Sequence, residues 1–406
     1  MMKKIAVFLP VKYQGGVLRG VKNIVKMLAV GSQRCGDDVI IVLSILKDAY
    51  DVSRDFADIL LYKNVRIRET VWETLDHDSV EMVFEFAKIN QRKNIYPFYS
   101  VPNDMINCFY DCDYWLLITD RTDYPILPLR EYCIVPYDYI QRHVNFGAKF
   151  SFISFIQNVR GAKNVFVTTP QTRTDCSFFC GIDINRVHLL DIECDFDSCN
   201  IGKKKNENFK NYILWISNAA IHKNHMAALQ ALQFYYEEEN GSLPVIIIGT
   251  GMDSFNYKNR NDYINADNCG YIEECRAFIK NSVLKDKMEF NGFVTDYKRN
   301  ELLYNARFLL HPVKVDNGTF SVIEAAYMGV PSLSNDYPQM RFLDEKFKLN
   351  LGFADFDNPR NTAKLIKYYE NNYKSIVERL PQVSYLESFA PDKLAEDYYR
   401  KVCTFL

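Results

Sequence analysis

The chain reads as an α/β protein made of two Rossmann-like halves, each built on a parallel sheet. Three observations predict this. At 406 residues the chain exceeds the size at which one core usually keeps growing. Short apolar, β-rich runs alternate with helical stretches from end to end, as βαβ units require. The alternation breaks over 193–210, where the sequence turns polar and carries Lys203-Lys204-Lys205. Such composition forms no core and suits a linker, its lysines solvated first and a lipid-headgroup contact second. The expected organisation is a first domain over 1–200, a second over 201–385, and a C-terminal helix over 386–406 packing back on the first.

In the first half the candidate strands are 5–9, 39–45, 114–119, 132–136 and 165–169, with 187–192 closing the domain. Two lysines before residues 5–9 imitate a signal peptide. The apolar run is too short for one and ends at Pro10, so a buried strand is the better reading. Gly15-Gly16 follows that strand and precedes a helix from about Leu18. The second half restarts with a strand over 212–217, a helix over 222–239 and a strand over 245–248 that runs into Gly249-Thr250-Gly251. A short strand over 288–290, a helix over 296–305, a strand over 308–311 and a helix over 321–328 come next. Two such halves leave a cleft where the carboxyl ends of their strands face each other.

Composition excludes several functions. With 49 basic and 51 acidic residues the net charge is −2, which offers nucleic acid no general surface. No stretch has the length of a transmembrane helix. Eleven cysteines are scattered without paired CxxC spacing. Cys108/Cys112 and Cys176/Cys180 have no His or second Cys pair to complete a metal set, so reduced thiols in a cytosol are expected. Asp111-Cys112-Asp113 spells a DxD pair but precedes a strand instead of ending one, and reads as incidental.

The densest chemistry lies in 316–331, where Asp316, a short turn through Asn317, Gly318 and Thr319, a helix start and Glu324 come in succession. A turn entering a helix points unpaired N–H groups and the positive end of the helix dipole outward, which suits a phosphate. Two flanking carboxylates suit sugar hydroxyls, because they only accept hydrogen bonds. The same letters also spell ordinary punctuation: Ser321-x-x-Glu324 is a capping box, and Gly329-Val330-Pro331 a helix stop. Lys223, in the loop 218–225 after a strand, can neutralise a diphosphate as a point charge or stand in solvent. Phe293 and Val294 follow a strand and can line a base pocket or simply pack. On the first half Tyr137-Asp138 and His143 are acceptor-side candidates, a lone histidine being more often structural.

In order and spacing, these pieces resemble the retaining glycosyltransferases of the GT-B fold, specifically glycosyltransferase family 4. The match runs through Lys223-Asn224, Ile-Ile-Ile-Gly-Thr-Gly, Phe-Asn-Gly-Phe-Val-Thr-Asp, Tyr304 to Pro312, 316–331 and Ser334-Asn335-Asp336-Tyr337-Pro338. The family's two glutamates with seven residues between appear as Asp316 and Glu324. The resemblance implies that Glu324 holds the nucleotide ribose, that Asp316 contacts the donor sugar, and that Asn317, Gly318, Thr319 and Phe320 bring amides to sugar and diphosphate. It implies diphosphate contacts for Lys223 and the Gly15-Gly16 loop, and an interdomain role for His143. Asn218 stands where the family has an arginine, and Asp316 is one methylene shorter than Glu; both departures bear on donor identity.

By the same resemblance the protein is expected to be a metal-independent hexosyltransferase with no cofactor beyond its nucleotide diphosphate sugar. It would act with retention on a glycan or lipid-linked acceptor in surface polysaccharide biosynthesis, in the cytoplasm at the inner face of the membrane. Two other readings stay open: a catalytically silent partner or glycan-binding protein of the same fold, and a sugar-nucleotide epimerase or hydrolase.

Overall fold

The computed structural model describes residues 2–86, 88, 96–119, 121–144, 153–197, 199, 209–259, 269–317 and 319–406. The chain forms two compact units, Met1–Glu193 with Phe389–Leu406, and Cys194–Ser388. The lysine run of 203–205 and Gly318 lie outside the described residues.

The first unit holds the strands β1 (Lys3–Phe8), β2 (Val39–Leu46), β3 (Val65–Asp76), β4 (Phe98–Asn103), β5 (Tyr114–Ile118), β6 (Tyr132–Val135), β7 (Val165–Val167) and β8 (Val187–Leu189). They form one sheet in the order β4-β3-β2-β1-β5-β6-β7-β8. All neighbours are parallel except β3 and β4, which run antiparallel. Period-2 alternation sends Ile5 and Val7 into the core on one face, and Ala6 and Phe8 into the core on the other. A sheet buried on both faces explains why these strands read as unbroken apolar runs. β3 and β4 are absent from the strands expected of the sequence. β3 carries Arg66, Arg68, Glu69 and Glu73 among its twelve residues, and much of it is exposed, so it gives no apolar run.

The second unit contains β9 (Ile213–Ile216), β10 (Val245–Ile248), β11 (Met288–Phe290), β12 (Phe308–His311), β13 (Ser332–Asn335) and β14 (Gly352–Ala354). These make an all-parallel sheet in the order β11-β10-β9-β12-β13-β14. Ile213, Trp215, Val245, Ile247, Phe308, Leu310 and Leu333 enter one apolar cluster with the helices His225–Glu237 and Pro359–Asn371. Gly249 has φ +131° directly after β10, and a Cβ there would overlap the Ser217 carbonyl oxygen. Only glycine lets the two strand ends come this close.

The helix Pro391–Phe405 belongs to the first unit and packs along the helix Gly15–Arg34. Gly31 makes that contact close, since a Cβ would overlap the Ala395 carbonyl oxygen and Tyr399 Cβ. Tyr399 donates its hydroxyl to Asp37 Oδ2 at 2.8 Å, and Phe405 stacks on His188 with ring centroids 3.6 Å apart. Gly31→Ala should overpack this seam and lower stability by about 1–3 kcal/mol. A fall in the urea midpoint checks it, whereas an unchanged midpoint would mean that the helices part without cost.

Candidate active site

Every strand of the second sheet points the same way, so its strand-to-helix turns leave from one edge. The order reverses between β9 and β12: the chain moves outward through β10 and β11, then returns to the other side of β9. Loops on either side of such a switch point diverge and leave a crevice at the carboxyl ends of the strands. The strongest sequence candidates meet there. Lys223, at the end of a short 3₁₀ turn Ile221–Lys223 after β9, donates from Nζ to Asp316 Oδ2 at 2.7 Å. The main chain joins the same two loops, with Lys314 N–H donating to the His222 carbonyl at 3.0 Å. Asp316 Oδ1 accepts from the Asn317 N–H at 2.9 Å. Burial alone would raise the Asp316 carboxyl; the Lys223 ammonium outweighs it and holds the group below the ordinary value.

Three histidines surround this pair. His311, the last residue of β12, is buried with Nδ1 3.1 Å from Ser334 Oγ. His222 precedes Lys223 and is buried. His225 opens the helix His225–Glu237, with Nε2 3.0 Å from Ser217 Oγ and its ring stacked on Trp215. Burial, reinforced by the Lys223 charge, pushes His222 down to about 4 and both His225 and His311 down to about 3. All three rings are therefore neutral near pH 7. Tyr337 follows β13 and places its ring 6.5 Å from that of His311. Its buried hydroxyl has no hydrogen-bond partner. The Asn224 Nδ2 is likewise buried and unpaired, on a residue with φ +61°.

The helix after Asp316 spans Phe320–Tyr327, and its N-cap is Thr319, whose Oγ1 accepts from the Ser321 N–H at 3.4 Å. The capping box starting at Ser321 is thus a correction: the cap falls two residues earlier. Glu324, which that cap does not use, is 4 % exposed and lies with Oε1 3.5 Å from Arg299 Nη2. Arg299 comes from the helix Asp296–Asn305, which Thr295 caps. Asn317 and Phe320 are half-buried in this turn. Asn218 is exposed and spends its Oδ1 on the Ala220 N–H at 3.1 Å, a local turn. Phe293 is 73 % exposed beside the half-buried Val294.

The remaining candidates belong to the first unit. Gly15, at φ +59°, and Gly16 form the first turn of the helix Gly15–Arg34 after β1. That sheet also reverses order, between β1 and β5. Across its switch point Tyr13 donates its hydroxyl to Thr119 Oγ1 at 3.0 Å. Thr119 has φ +76°, a left-handed conformation that a β-branched residue rarely adopts. His143 lies with Nε2 3.1 Å from Asp175 Oδ2. Asp111 pairs with Arg68 and Lys4, and Asp113 accepts the Lys4 N–H at 2.8 Å, so the DxD spelling serves the fold. No cluster of three or more His, Cys, Asp or Glu among the described residues could hold a metal ion. No helix among them is long and apolar enough to cross a membrane.

Arg299, His311 and Tyr337 received no role from the sequence. The signal available for two of them was position: His311 ends β12 and Tyr337 follows β13, both on the edge that carries the site. Arg299 lies in a helix with no such marker.

The buried histidines fix the sign of a pH response. A ring lowered from 6.5 keeps its full stabilising effect above about pH 6.5, where folded and unfolded forms are both neutral. As pH falls from there towards 4, the unfolded chain takes up protons that the folded one refuses, and stability drops. The limiting slope is about 1.4 kcal/mol per pH unit for each ring. The Asp316 carboxyl contributes in a separate window, below its ordinary 3.8. Urea midpoints between pH 7 and 4.5 should decline steeply, and His311→Gln should remove one ring's share of the slope. An unchanged slope in the variant would show that the His311 ring is protonated in the folded protein.

Residues 200–379 match the family model described as glycosyl transferases group 1. No curated protein matches the chain by sequence. Among solved structures, Anabaena HepE in complex with UDP and glucose superposes with a TM-score of 0.66 at 11 % identity, over 100 % of both chains. HepE in complex with UDP-glucose gives 0.62 at 12 %, over 99 % of this chain and 100 % of that one. A glycosyltransferase from Rickettsia africae gives 0.62 at 12 %, over 99 % and 98 %. Two parallel-sheet α/β units in this order are the GT-B arrangement. The chain is therefore a GT-B fold protein whose second unit matches the glycosyl transferases group 1 family.

Proposed function

We propose that the protein transfers a glycosyl unit from a nucleotide diphosphate sugar to a glycan or lipid-linked acceptor. The observation that carries this reading is the convergence of Lys223, Asp316 and the Thr319-capped helix at the switch point of the second sheet. Lys223 offers a positive charge to a departing diphosphate, and the helix start adds main-chain N–H groups. Asp316 accepts hydrogen bonds from the donor sugar. Glu324, aligned by Arg299, accepts from the nucleotide ribose. The structural relatives crystallised with UDP and UDP-glucose support a nucleotide-sugar donor.

The finer terms of the proposal are retention at the anomeric carbon, independence of metal and of any cofactor, and a role in surface polysaccharide synthesis at the membrane face. Among the described residues no side chain near Asp316 is an obvious general base, since burial and the Lys223 charge lower the basicity of the neighbouring histidines. Attack on the donor face from which the diphosphate leaves, assisted by that diphosphate, fits this arrangement.

One observation favours a second reading, that of a silent partner. Asp316 already neutralises Lys223, and Asn218 adds no charge beside it. Donor turnover separates the two. With UDP-, GDP- and ADP-sugars, one donor should release its nucleotide diphosphate in the presence of a saccharide acceptor, at a rate unchanged by excess EDTA. Loss of that activity in EDTA, with recovery on Mn²⁺ or Mg²⁺, would remove the metal-free mechanism. Absence of turnover with every donor would leave the silent partner.

Glu324→Gln distinguishes the ribose role from simple helix support. It keeps the volume and removes the charge, so donor affinity should fall about tenfold or more, as expected when a charged acceptor is lost. The melting temperature should move little. A large drop in melting temperature with unchanged affinity would assign Glu324 to the fold alone.

A further inference from the structure

The Lys223–Asp316 pair raises a difficulty that the proposed reaction has to solve. Both side chains are largely buried, at 15 % and 17 % exposure, and they touch at 2.7 Å. A diphosphate that takes Lys223 must therefore separate it from Asp316. A buried carboxylate stripped of its cation is costly unless another donor receives it. The neutral rings of His222 and His311 lie near but carry no charge. A different group stands ready: the Tyr337 hydroxyl, buried beside His311 and without a hydrogen-bond partner. The Asp316 charge is felt at this phenol, which burial and that charge together push well above 10. An unsatisfied buried hydroxyl weakens the fold, and a functional role is one reason such a group is kept.

We infer that Tyr337 is a positioning residue that receives Asp316 when the donor's diphosphate displaces it from Lys223. The carboxylate then has two alternative partners. In one state it holds the lysine; in the other it accepts from the Tyr337 hydroxyl while its second oxygen faces the donor sugar. Occupation of Lys223 by phosphate and release of Asp316 towards the sugar become one event, so the site is assembled only by a ligand that carries a diphosphate. No bond is made or broken in the hand-over, and the proton of Tyr337 stays on its oxygen. This inference rests on the reading of the site as a nucleotide-sugar pocket.

The test is a double-mutant cycle on the full chain, with UDP, GDP, ADP and inorganic pyrophosphate as probes and calorimetry as the readout. For the probe that binds best, Tyr337→Phe should weaken binding about tenfold or more, in line with the loss of a hydrogen bond to a charged group. Its melting temperature should hold or rise, because an unpaired buried hydroxyl has been removed. Asp316→Ala should bind the same probe more tightly than the parent, since Lys223 no longer has to be freed. In the Asp316→Ala background, Tyr337→Phe should have no further effect. Parent-like binding by Tyr337→Phe, or an equal loss in both backgrounds, would overturn the hand-over while leaving a nucleotide site intact. Failure of the parent to bind any of the four probes would instead remove the nucleotide reading, and the hand-over with it.

Discussion

A parallel strand pair cannot be closed by a tight turn; the chain has to cross back over the sheet before it can start the next strand. In the second unit this constraint applies to all six strands, and it collects every strand-to-helix turn on one edge. The position of the site is then set by where the strand order reverses. Between β9 and β12 two loops leave in opposite directions, and residues from either side can converge without competing for the same helix. The Lys314 N–H bond to the His222 carbonyl pins those loops together, and the Lys223–Asp316 pair spans the crevice they enclose. Residues 93 positions apart thus become neighbours through topology alone.

The electrostatics of this edge are unusual in their economy. One ammonium and one carboxylate sit among three imidazoles kept neutral by burial, a phenol and an amide. Each of the polar groups is costly to bury, and neither Tyr337 Oη nor Asn224 Nδ2 has a hydrogen-bond partner. Two other buried phenols of the same unit are satisfied: Tyr235 bonds Glu370 at 2.7 Å, and Tyr212 bonds the Leu302 carbonyl at 2.6 Å. Unlike those two phenols, the Tyr337 hydroxyl has no hydrogen-bond partner, a state that Ser332 Oγ and Gln339 Oε1 of the same unit share.

Much of this was legible in the sequence, for reasons that differ by residue. β10, β11 and β12 have the boundaries that the sequence predicts, and in β10 and β12 burial on both faces leaves little ambiguity about where polarity begins. β3 was not legible, since its exposed face interrupts every apolar run, and Ser332–Asn335, with two serines and an asparagine among four residues, is too polar to signal β13. The helix start near Asp316 was displaced by two residues because Thr319 and Ser321 are equally good caps, and only the backbone chooses between them. Lys223, Asp316 and Glu324 could be singled out by charge and spacing. Their actual partners could not: Arg299 reaches Glu324 from another helix, and the geometry that leaves Tyr337 unpaired is a property of packing. A sequence shows which residues can do chemistry more readily than which ones stand beside them.

The helix Pro391–Phe405 covers the face of Gly15–Arg34 that Gly31 opens, so residues made after the second unit complete a unit begun before it. Synthesis on the ribosome runs from one end only. The second unit is contiguous in sequence, whereas the first is interrupted by it. The first unit must wait through the translation of the whole intervening segment with the Gly31 face of its first helix uncovered. At about 5–20 residues per second that interval lasts on the order of ten seconds or more. A ribosome that stalls within the second unit therefore leaves a nascent chain whose first unit lacks the helix that closes it.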